Sequence, residues 1–272
     1  MSDIFKQAAD KSYLFIDKWQ KQHQQLQVGF TMKNGGCSKH PFATFNMGLH
    51  VDDNYEDVIN NRKRLAEKLQ FPLSLWVSGE QTHHNEVYVV ERKDKGKGSV
   101  AYDTSLKGID GLITKEKGVL CTAFFADCVP LFFFDPVTAY LGIAHAGWRG
   151  TVGKIAEEMV KKFIELGTQI ENLQVVIGPC ISQKQYEVND FVIQHIPKVL
   201  QKNAVIAKEE GSFLLDLKQL NMEILLQSGV LRHNIEVTNY CTFTDADSFF
   251  SHRRDHGQTG RMLGYIGYKE DE

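Results

Sequence analysis

The segment VLCTAFFADCVPLFFFD, residues 119–135, is followed three residues later by AYLGIAHAGW, residues 139–148, and these are the longest apolar stretches of the chain. Neither supplies the roughly 18 uninterrupted apolar residues of a membrane helix. They are interrupted at Asp127, Pro130, Asp135 and His145. Short apolar runs with such boundaries are typical of buried strands. We therefore predict a central group of buried strands over 119–125, 130–135 and 138–144.

Working outward, further strands and helices surround this centre without alternating strictly. Apolar runs predict strands at 26–32, 73–78, 86–91, 111–114, 173–177, 235–239 and 261–268. A helical period of apolar residues predicts helices at 55–69, 152–166, 190–200 and 217–227. This order favours an α+β fold with mixed sheets over a doubly wound parallel sheet. Because no Pro/Ser-rich linker divides the chain, we predict a single domain over 1–272.

Composition excludes several classes of protein. The chain has 272 residues, with 31 Lys and Arg against 34 Asp and Glu, so its formal charge is −3. This balance argues against a broad nucleic-acid surface, and 42% hydrophobic residues argue against disorder. Five cysteines are too few, and odd in number, for a disulfide scaffold. The N-terminus lacks the pattern of a signal peptide, so we expect a cytoplasmic protein with neither nucleic-acid nor membrane partners.

Three segments concentrate residues that bind metals, and each lies where a predicted strand meets a turn. His83 precedes a strand, Cys128 lies between two strands, and His145 ends one. If these strands are neighbours, two imidazoles and one thiolate meet, which is a zinc ligand set with a fourth position open for water or substrate. The alternative is a buried thiol beside histidines that only donate hydrogen bonds. His84 follows His83 directly, so spacing leaves the choice between them open.

Polar clusters elsewhere suggest anion binding and acid–base chemistry. After His145 the chain runs GWRGT into a predicted helix, where backbone N–H groups and the Arg149 guanidinium would favour an anion. The alternative is a tight turn with a solvated arginine. Glu187 is a candidate acid or base, or a capping partner. Arg254 lies in an arginine-rich loop that would suit a phosphate-bearing ligand, and Asn46 lies in a long polar loop with ligand-binding potential.

Taken together, the motifs resemble those of one family. QTHHNEV, DGLIT, ADCVP, AHAGWRG, GPCI…YEV and FFSHRRD…TGR occur in order between residues 81 and 261, with FNMG upstream. They resemble the bacterial laccase-domain family, formerly called polyphenol oxidases, whose members are described as purine nucleoside phosphorylases with adenosine deaminase and methylthioadenosine phosphorylase activity. The resemblance implies a four-layer α/β/β/α sandwich. It also implies a metal triad of His83, Cys128 and His145 that holds zinc, or copper.

The expected activity follows from this resemblance. Adenosine would be deaminated by an activated water, and inorganic phosphate would cleave purine nucleosides at the ribose C1′, including adenosine, inosine, guanosine and methylthioadenosine. Arg149, with Arg62 or Arg254, would hold the phosphate. Asp127 and Glu187 are the candidates for the acid that protonates the departing base. The sequence leaves the oligomeric state open.

Two other functions remain in competition with this one. The chain would be a cysteine-dependent hydrolase or amidase acting on cell-wall precursors, as described for one branch of the family, if Cys128 were the nucleophile and His145 its base. It would be a regulatory protein if it bound a nucleotide or sequestered a metal without turnover. Metal content and sensitivity to chelation and alkylation distinguish these functions.

Overall fold

A computed structural model of the chain describes residues 3–209 and 211–270. Its α-helices are α1 (Asp17–Gln22), α2 (Tyr55–Leu69), α3 (Trp148–Val152), α4 (Ile155–Glu165), α5 (Asp190–Ile193), α6 (Lys198–Ala204) and α7 (Leu217–Gln227). Its strands are β1 (Lys6–Gln7), β2 (Tyr13–Phe15), β3 (Leu26–Thr31), β4 (Trp76–Ser78), β5 (Val87–Val89), β6 (Gly111–Thr114), β7 (Val119–Phe125), β8 (Val129–Phe134), β9 (Leu141–Ala146), β10 (Gln174–Ile177), β11 (Glu187–Asn189), β12 (Val205–Ala207), β13 (Ser212–Leu215), β14 (Ile235–Val237) and β15 (Met262–Tyr268).

Two six-stranded mixed sheets form the centre of the molecule. The first has the order β1-β2-β3-β15-β7-β4, and the second has the order β14-β10-β8-β9-β6-β5. Both combine antiparallel pairs, such as β7 with β15 and β8 with β9, with parallel pairs, such as β4 with β7 and β5 with β6. A small third sheet has the order β11-β13-β12. Mixed sheets are what the irregular order of strands and helices predicted.

The apolar segment 119–135 passes from one large sheet to the other. β7 lies in the first sheet and β8 in the second, and the turn at 126–128 joins them. Side chains alternate along each strand because a strand has a period of two. In β8, Phe132 and Phe134 belong to the core between the sheets, whereas Leu131 and Phe133 point to the opposite core. Both faces of β8 are therefore buried, which explains why its six residues are all apolar.

Helices cover the outer face of each large sheet. On the first sheet, Leu65 and Leu69 of α2 pack in one core with residues of β7 and β15. On the second, α4 and α7 share a core with β8, β9 and β10. A third core lies between the sheets. The order of layers is therefore helix, sheet, sheet, helix, as expected for an α/β/β/α sandwich.

The predicted helices agree with the structure where no residue interrupts them. The helices at 55–69 and 217–227 have the predicted bounds. The helix predicted at 152–166 is two helices, because Lys154 adopts a left-handed conformation (φ 65°) between α3 and α4. The helix predicted at 190–200 is also interrupted, and α6 begins after Pro197, whose ring cannot continue a preceding helix.

The predicted strands are all present in the structure; those at 111–114 and 119–125 have the predicted bounds, and the others have shifted ends. The region 73–78 begins with a 3-10 turn and only its last three residues form β4. The strands β1, β2, β11, β12 and β13 were not predicted from the sequence. They have two to four residues each, too few for a clear alternating pattern. Within residues 3–209 and 211–270, no helix has the length and apolar character needed to cross a bilayer.

Candidate metal centre and its pocket

The structure brings His83, Cys128 and His145 together. His83 follows β4 of the first sheet, Cys128 lies in the turn between the sheets, and His145 lies on β9 of the second sheet. One ligand atom from each of the three lies within 4.8 Å of the other two. His145 is buried, Cys128 is half-buried and His83 is exposed, so the centre is reached from one side. His84 is not part of this group, so the geometry selects His83 from the adjacent pair.

The Asp110 carboxylate lies behind the two histidines. Its Oδ1 accepts a hydrogen bond from His145 Nδ1 at 2.8 Å and one from the backbone N–H of His83 at 3.1 Å. Its Oδ2 accepts backbone hydrogen bonds from Thr82 at 3.0 Å and His84 at 3.1 Å. Burial alone would raise the pKa of Asp110, but its hydrogen bonds to His145 and the backbone lower it. Because Nδ1 of His145 is occupied, its Nε2 faces the centre.

The backbone is strained on both sides of the centre. His83 has φ +64° and Asp127 has φ +84°, in the left-handed region that side chains rarely adopt. Such conformations persist where the surrounding structure fixes them, and they cluster at functional sites. Here the three amides of residues 82–84 converge on one carboxylate, which dictates the turn at His83. The conformation thus aims the imidazole at Cys128.

The thiol of Cys128 is poised for ionisation. Burial alone would raise its pKa, but the charge and hydrogen bond of His145 and the contact with His83 lower the pKa to about 6. Conversely, burial lowers the pKa of His145, while Cys128 and Asp110 raise it to about 9. These opposite shifts favour a thiolate beside an imidazolium. A thiolate is the form of cysteine that binds a metal or attacks a carbon atom.

A glycine leaves room for an ion beside the three ligands. A Cβ atom at Gly147 would lie 3.0 Å from Cys128 Sγ, 3.0 Å from His83 Cδ2 and 3.8 Å from His145 Cε1. The missing side chain therefore leaves free space against all three. Two imidazole nitrogens and one thiolate are a donor set that zinc binds well, with one position left for a non-protein ligand. The residues present thus fit a metal ion.

The centre lies in a pocket of about 380 Å³ with two distinct walls. We call the first the Trp148 wall, formed by Trp148, Arg149, Tyr186 and Arg253. The Arg149 guanidinium lies 4.5 Å from the Trp148 ring centroid, and that of Arg253 lies 5.0 Å from the Tyr186 ring centroid. Both arginines are exposed, and neither forms an ion pair within the described residues. This wall offers positive charge to a ligand.

We call the second the Phe124 wall, formed by His50, Tyr102 and Phe124. The His50 ring centroid lies 5.6 Å from that of Tyr102 and 5.8 Å from that of Phe124. Gln81 fastens this wall to the loop of His83, because its side-chain amide both donates to and accepts from the backbone of Phe124, at 2.8 Å each. Phe124 is nearly fully buried, whereas His50 and Tyr102 are exposed and offer flat aromatic faces to a ligand.

Asp127 lines the pocket, but its carboxylate is fully engaged. Oδ1 accepts from Thr242 Oγ1 at 2.6 Å, and Oδ2 accepts from Ser251 Oγ at 3.0 Å and from the backbone N–H of Arg253 at 2.7 Å. With its oxygens so occupied, Asp127 holds the loop that carries Arg253. This arrangement suits a structural role better than the acid role expected from the sequence.

The position of Arg62 does not fit the expectation that it binds phosphate. Arg62 is 1% exposed, and its guanidinium donates to the carbonyls of Met47, Gly98 and Ser99 at 2.6–2.9 Å. It also lies 4.7 Å from the ring centroid of Phe124 and so supports that wall from behind. Its donors are used inside the fold, away from the pocket.

Arg254 is likewise used within its own loop. It donates to the carbonyls of Thr242, Phe243 and Phe249 and pairs with Asp255 at 2.8 Å. It does not line the pocket of the metal centre. The expected phosphate contact from Arg254 therefore has no support in the geometry, and the neighbouring Arg253 is the arginine that faces the pocket.

Asn46 and Glu187 also lie outside the pocket. The Asn46 amide is buried, donates to Asp53 at 2.9 Å and accepts from the backbone N–H of Arg261 at 2.8 Å, so it fixes two loops. Glu187 is exposed and pairs with Lys208 at 2.6 Å. An exposed, ion-paired carboxylate cannot protonate a base within the pocket, which removes the geometric case for Glu187 as the acid.

Sequence reasoning missed several residues of the site. Asp110 was noted only as part of the DGLIT motif. An aspartate directly before a buried strand is nevertheless a signal for a buried hydrogen-bond acceptor. Tyr186 lies in a segment that was noted for Glu187, and Arg253 was noted among the arginines of its loop, from which Arg254 was selected for phosphate. In both segments the sequence identified the correct loop, and only the structure shows which neighbour faces the pocket.

Comparison with known proteins places these features in a family. A family model described as multi-copper polyphenol oxidoreductase laccase matches residues 27–269. Purine nucleoside phosphorylase YlmD of Bacillus subtilis (strain 168) is 45% identical over 266 residues, which is 95% of this chain and 95% of that protein. Purine nucleoside phosphorylase YlmD of Geobacillus stearothermophilus is 46% identical over 249 residues, or 90% of each.

Solved structures agree with the sequence matches. The crystal structure of Bacillus licheniformis hypothetical protein YfiH superposes with a TM-score of 0.94 at 42% identity and covers 98% of this chain and 100% of that one. Neisseria meningitidis protein NMB0706 has a TM-score of 0.79 at 27% identity, covering 98% and 100%. The chain therefore belongs to the laccase-domain family, alongside relatives that bear the name purine nucleoside phosphorylase.

Proposed function

We propose that this protein is a metal-dependent purine nucleoside phosphorylase that also deaminates adenosine. The observation that carries the proposal is the joint position of the His83, Cys128 and His145 triad and the Trp148 wall in one pocket. The names of the relatives that match over nearly their whole length support the phosphorylase part of this proposal. In phosphorolysis the C1′–N9 bond breaks, a bond from C1′ to a phosphate oxygen forms, and the purine takes up a proton. In deamination water replaces the amino group at C6 and ammonia leaves.

We assign phosphate to the Trp148 wall. Phosphate binds best to guanidinium groups whose donors are not already engaged. Arg149 makes no side-chain hydrogen bond to the described part of the chain, and Arg253 makes one, to the carbonyl of Glu187 at 2.8 Å. Asp127 fixes the backbone of Arg253, so that guanidinium is held at the pocket. The two arginines thus bind and orient the anion.

We assign the purine base to the Phe124 wall. Aromatic rings favour offset or edge-to-face contacts with other flat π systems. His50 and Tyr102 present such faces, and the nearly fully buried Phe124, with Arg62 behind it, packs against His50. The ribose would then lie between the walls, beside the triad. When bound there, zinc supplies a Lewis acid that activates water or polarises a substrate atom.

Product analysis tests the proposal directly. Purified protein is incubated with inosine, with and without inorganic phosphate, and separately with adenosine, and the products are separated by liquid chromatography. We expect phosphate-dependent hypoxanthine with an equal amount of ribose 1-phosphate, and inosine from adenosine. Absence of phosphate-dependent hypoxanthine in protein that contains about one zinc per chain would refute the phosphorylase assignment.

Variants of the two walls test the assignments within the pocket. Arg149→Ala is expected to raise the KM for phosphate and to leave the KM for inosine nearly unchanged. Tyr102→Ala is expected to do the reverse, because it removes an exposed aromatic face of the base site. Arg92→Ala, which removes an exposed arginine outside the pocket lining, is the matched control for Arg149→Ala. Equal effects of both wall variants on both KM values would contradict the assignments.

One observation favours a second candidate, a cysteine-dependent amidase acting on cell-wall precursors. A chain of hydrogen bonds runs from Cys128 through His145 to Asp110. The nucleophile, the base and the carboxylate that orients the base are arranged in the same way in cysteine hydrolases. Sγ would attack an amide carbonyl, His145 would give a proton to the leaving amine, and water would cleave the thioester. This activity would persist after chelation and be lost on alkylation of Cys128, whereas the phosphorylase would lose activity with its metal.

A further inference from the structure

One buried carboxylate holds both histidines of the triad. We propose that Asp110 is the positioning residue of the metal centre, and that it preorganises His83 and His145 for the ion before the ion binds. This inference rests on the metal binding of the proposed function and does not depend on which reaction the site catalyses. It concerns a residue that touches neither the ion nor the substrate.

The first step of the argument is the orientation of His145. Asp110 Oδ1 accepts from Nδ1 at 2.8 Å, and the Asp110 carbonyl accepts the backbone N–H of His145 at 2.9 Å. Residue 110 therefore fixes both the backbone and the ring of His145. When the ring is neutral, as a metal ligand must be, a carboxylate on one ring nitrogen selects the tautomer whose other nitrogen carries the free lone pair. That nitrogen is Nε2, on the side of Cys128.

The second step is the orientation of His83. His83 is exposed and lies in a loop outside the strands, so sheet pairing does not hold it. The same carboxylate accepts the backbone N–H groups of Thr82, His83 and His84 at 3.0–3.1 Å and thereby closes the turn in which His83 has φ +64°. The ring then lies edge-to-face with His145, with centroids 4.7 Å apart. Without these bonds the exposed ligand would lose its direction.

The third step is the requirement for two acceptor oxygens. Each oxygen of Asp110 accepts from at least two N–H groups, and the residue is 3% exposed, so water cannot replace a lost acceptor easily. Asparagine has the same shape but one amide nitrogen, which is a donor. In either orientation that nitrogen faces N–H groups. Asp110→Asn must therefore release the loop of His83 or reverse the tautomer of His145.

The chain offers a matched control in Asp135. Asp135 is also fully buried, and it accepts hydrogen bonds from the Val137 N–H at 2.9 Å and the Thr138 hydroxyl at 2.5 Å. It follows β8, whereas Cys128 precedes that strand, so the two residues are separated by roughly 20 Å at ~3.3 Å per residue. Asp135→Asn thus makes the same change from a buried carboxylate to an amide, far from the triad.

The experiment measures zinc affinity by competition with a chromophoric chelator, on metal-free full-length protein. We expect Asp110→Asn to bind zinc about 10–100-fold more weakly than the wild type, as is typical when an outer carboxylate is lost. Asp135→Asn should bind as the wild type does. The visible spectrum of the cobalt-substituted protein should change for Asp110→Asn alone. Unchanged affinity and spectrum in Asp110→Asn, or an equal loss in Asp135→Asn, would overturn the proposal.

A measurement on the wild type covers the case in which Asp110→Asn does not fold. In ¹⁵N-histidine-labelled protein loaded with zinc, NMR should show His145 with a proton on Nδ1 and the metal on Nε2, and the His83→Gln variant assigns the signals. Metal on Nδ1 of His145 would refute the role of Asp110. If the wild type binds no zinc, the metal dependence of the proposed function fails as well, whereas zinc binding through Nδ1 refutes only this inference.

Discussion

Replacing Gly147 by alanine tests the metal centre at its most confined point. Gly147 has φ −68° and ψ 172°, an extended conformation that alanine adopts without strain. The new Cβ would lie 3.0 Å from both Cys128 Sγ and His83 Cδ2. The variant therefore reduces the space around Cys128 and His83 without straining the backbone at residue 147.

The size of the effect follows from these distances. Non-bonded heavy atoms are most stable about 3.5–4.0 Å apart, so each contact is too short by roughly 0.5 Å or more. Metal–ligand distances tolerate only about 0.2 Å. Cys128 and His83 cannot both retreat from Cβ and both reach the ion, so we expect zinc affinity to fall about 10–100-fold, or roughly 1.4–2.7 kcal/mol. In the metal-free variant His83 can move away from the new Cβ atom, so the free energy of unfolding should change by less than about 1 kcal/mol.

The assay combines a zinc competition titration with thermal melts of the metal-free and zinc-loaded protein. Gly147→Ala should lose most of the zinc-induced rise in Tm and keep the Tm of the metal-free form. Gly153→Ala is the control, because its Cβ would meet the Arg149 carbonyl and no triad atom. Wild-type zinc affinity in Gly147→Ala would refute the view that Gly147 leaves the space for the ion.

Three further predictions concern single residues. Arg149→Lys should raise the KM for phosphate less than Arg149→Ala does, since lysine keeps the charge but not the paired donors, and initial rates against phosphate concentration measure this. Arg62→Met should lower the free energy of unfolding, measured in urea, by about 2–4 kcal/mol, because buried carbonyls lose their donor. The KM for phosphate should stay constant, and a large change in it would show that Arg62 belongs to the anion site. Iodoacetamide should modify Cys128 in chelator-treated protein and not in zinc-loaded protein, as peptide mass spectrometry would show, and equal labelling would argue against Cys128 as a ligand.

The long elements could be predicted from the sequence because their patterns are local. The amphipathic period of Tyr55–Leu69 and the apolar run of Val119–Phe125 identify these elements with the observed bounds. The interruption at Lys154 could not be predicted in this way, because a left-handed lysine is imposed by the packing of two helices and has no signal in its residue type. The short strands of the third sheet depend on pairing with distant segments rather than on their own pattern.

At the site, too, local sequence patterns could be interpreted, whereas contacts between distant residues could not. Strand ends could be read from the sequence, so the triad of His83, Cys128 and His145 was among the predicted residues that the structure brings together. Which way a side chain in a loop points depends on contacts with distant residues. Arg62 and Arg254 were therefore placed with the ligand on the basis of charge alone, whereas the fold uses their donors for backbone carbonyls.

If the triad binds zinc as proposed, its position between the two large sheets would couple metal supply to folding. Gln81 ties the loop of His83 to β7 in the first sheet, and Asp110 ties it to β9 in the second. An ion held by His83, Cys128 and His145 would thus connect the sheets across the turn at 126–128. Its binding would add about 2.7 kcal/mol to the free energy of unfolding when free zinc exceeds its Kd 100-fold. Scarcity of metal would therefore lower the stability of the folded protein as well as its catalytic activity.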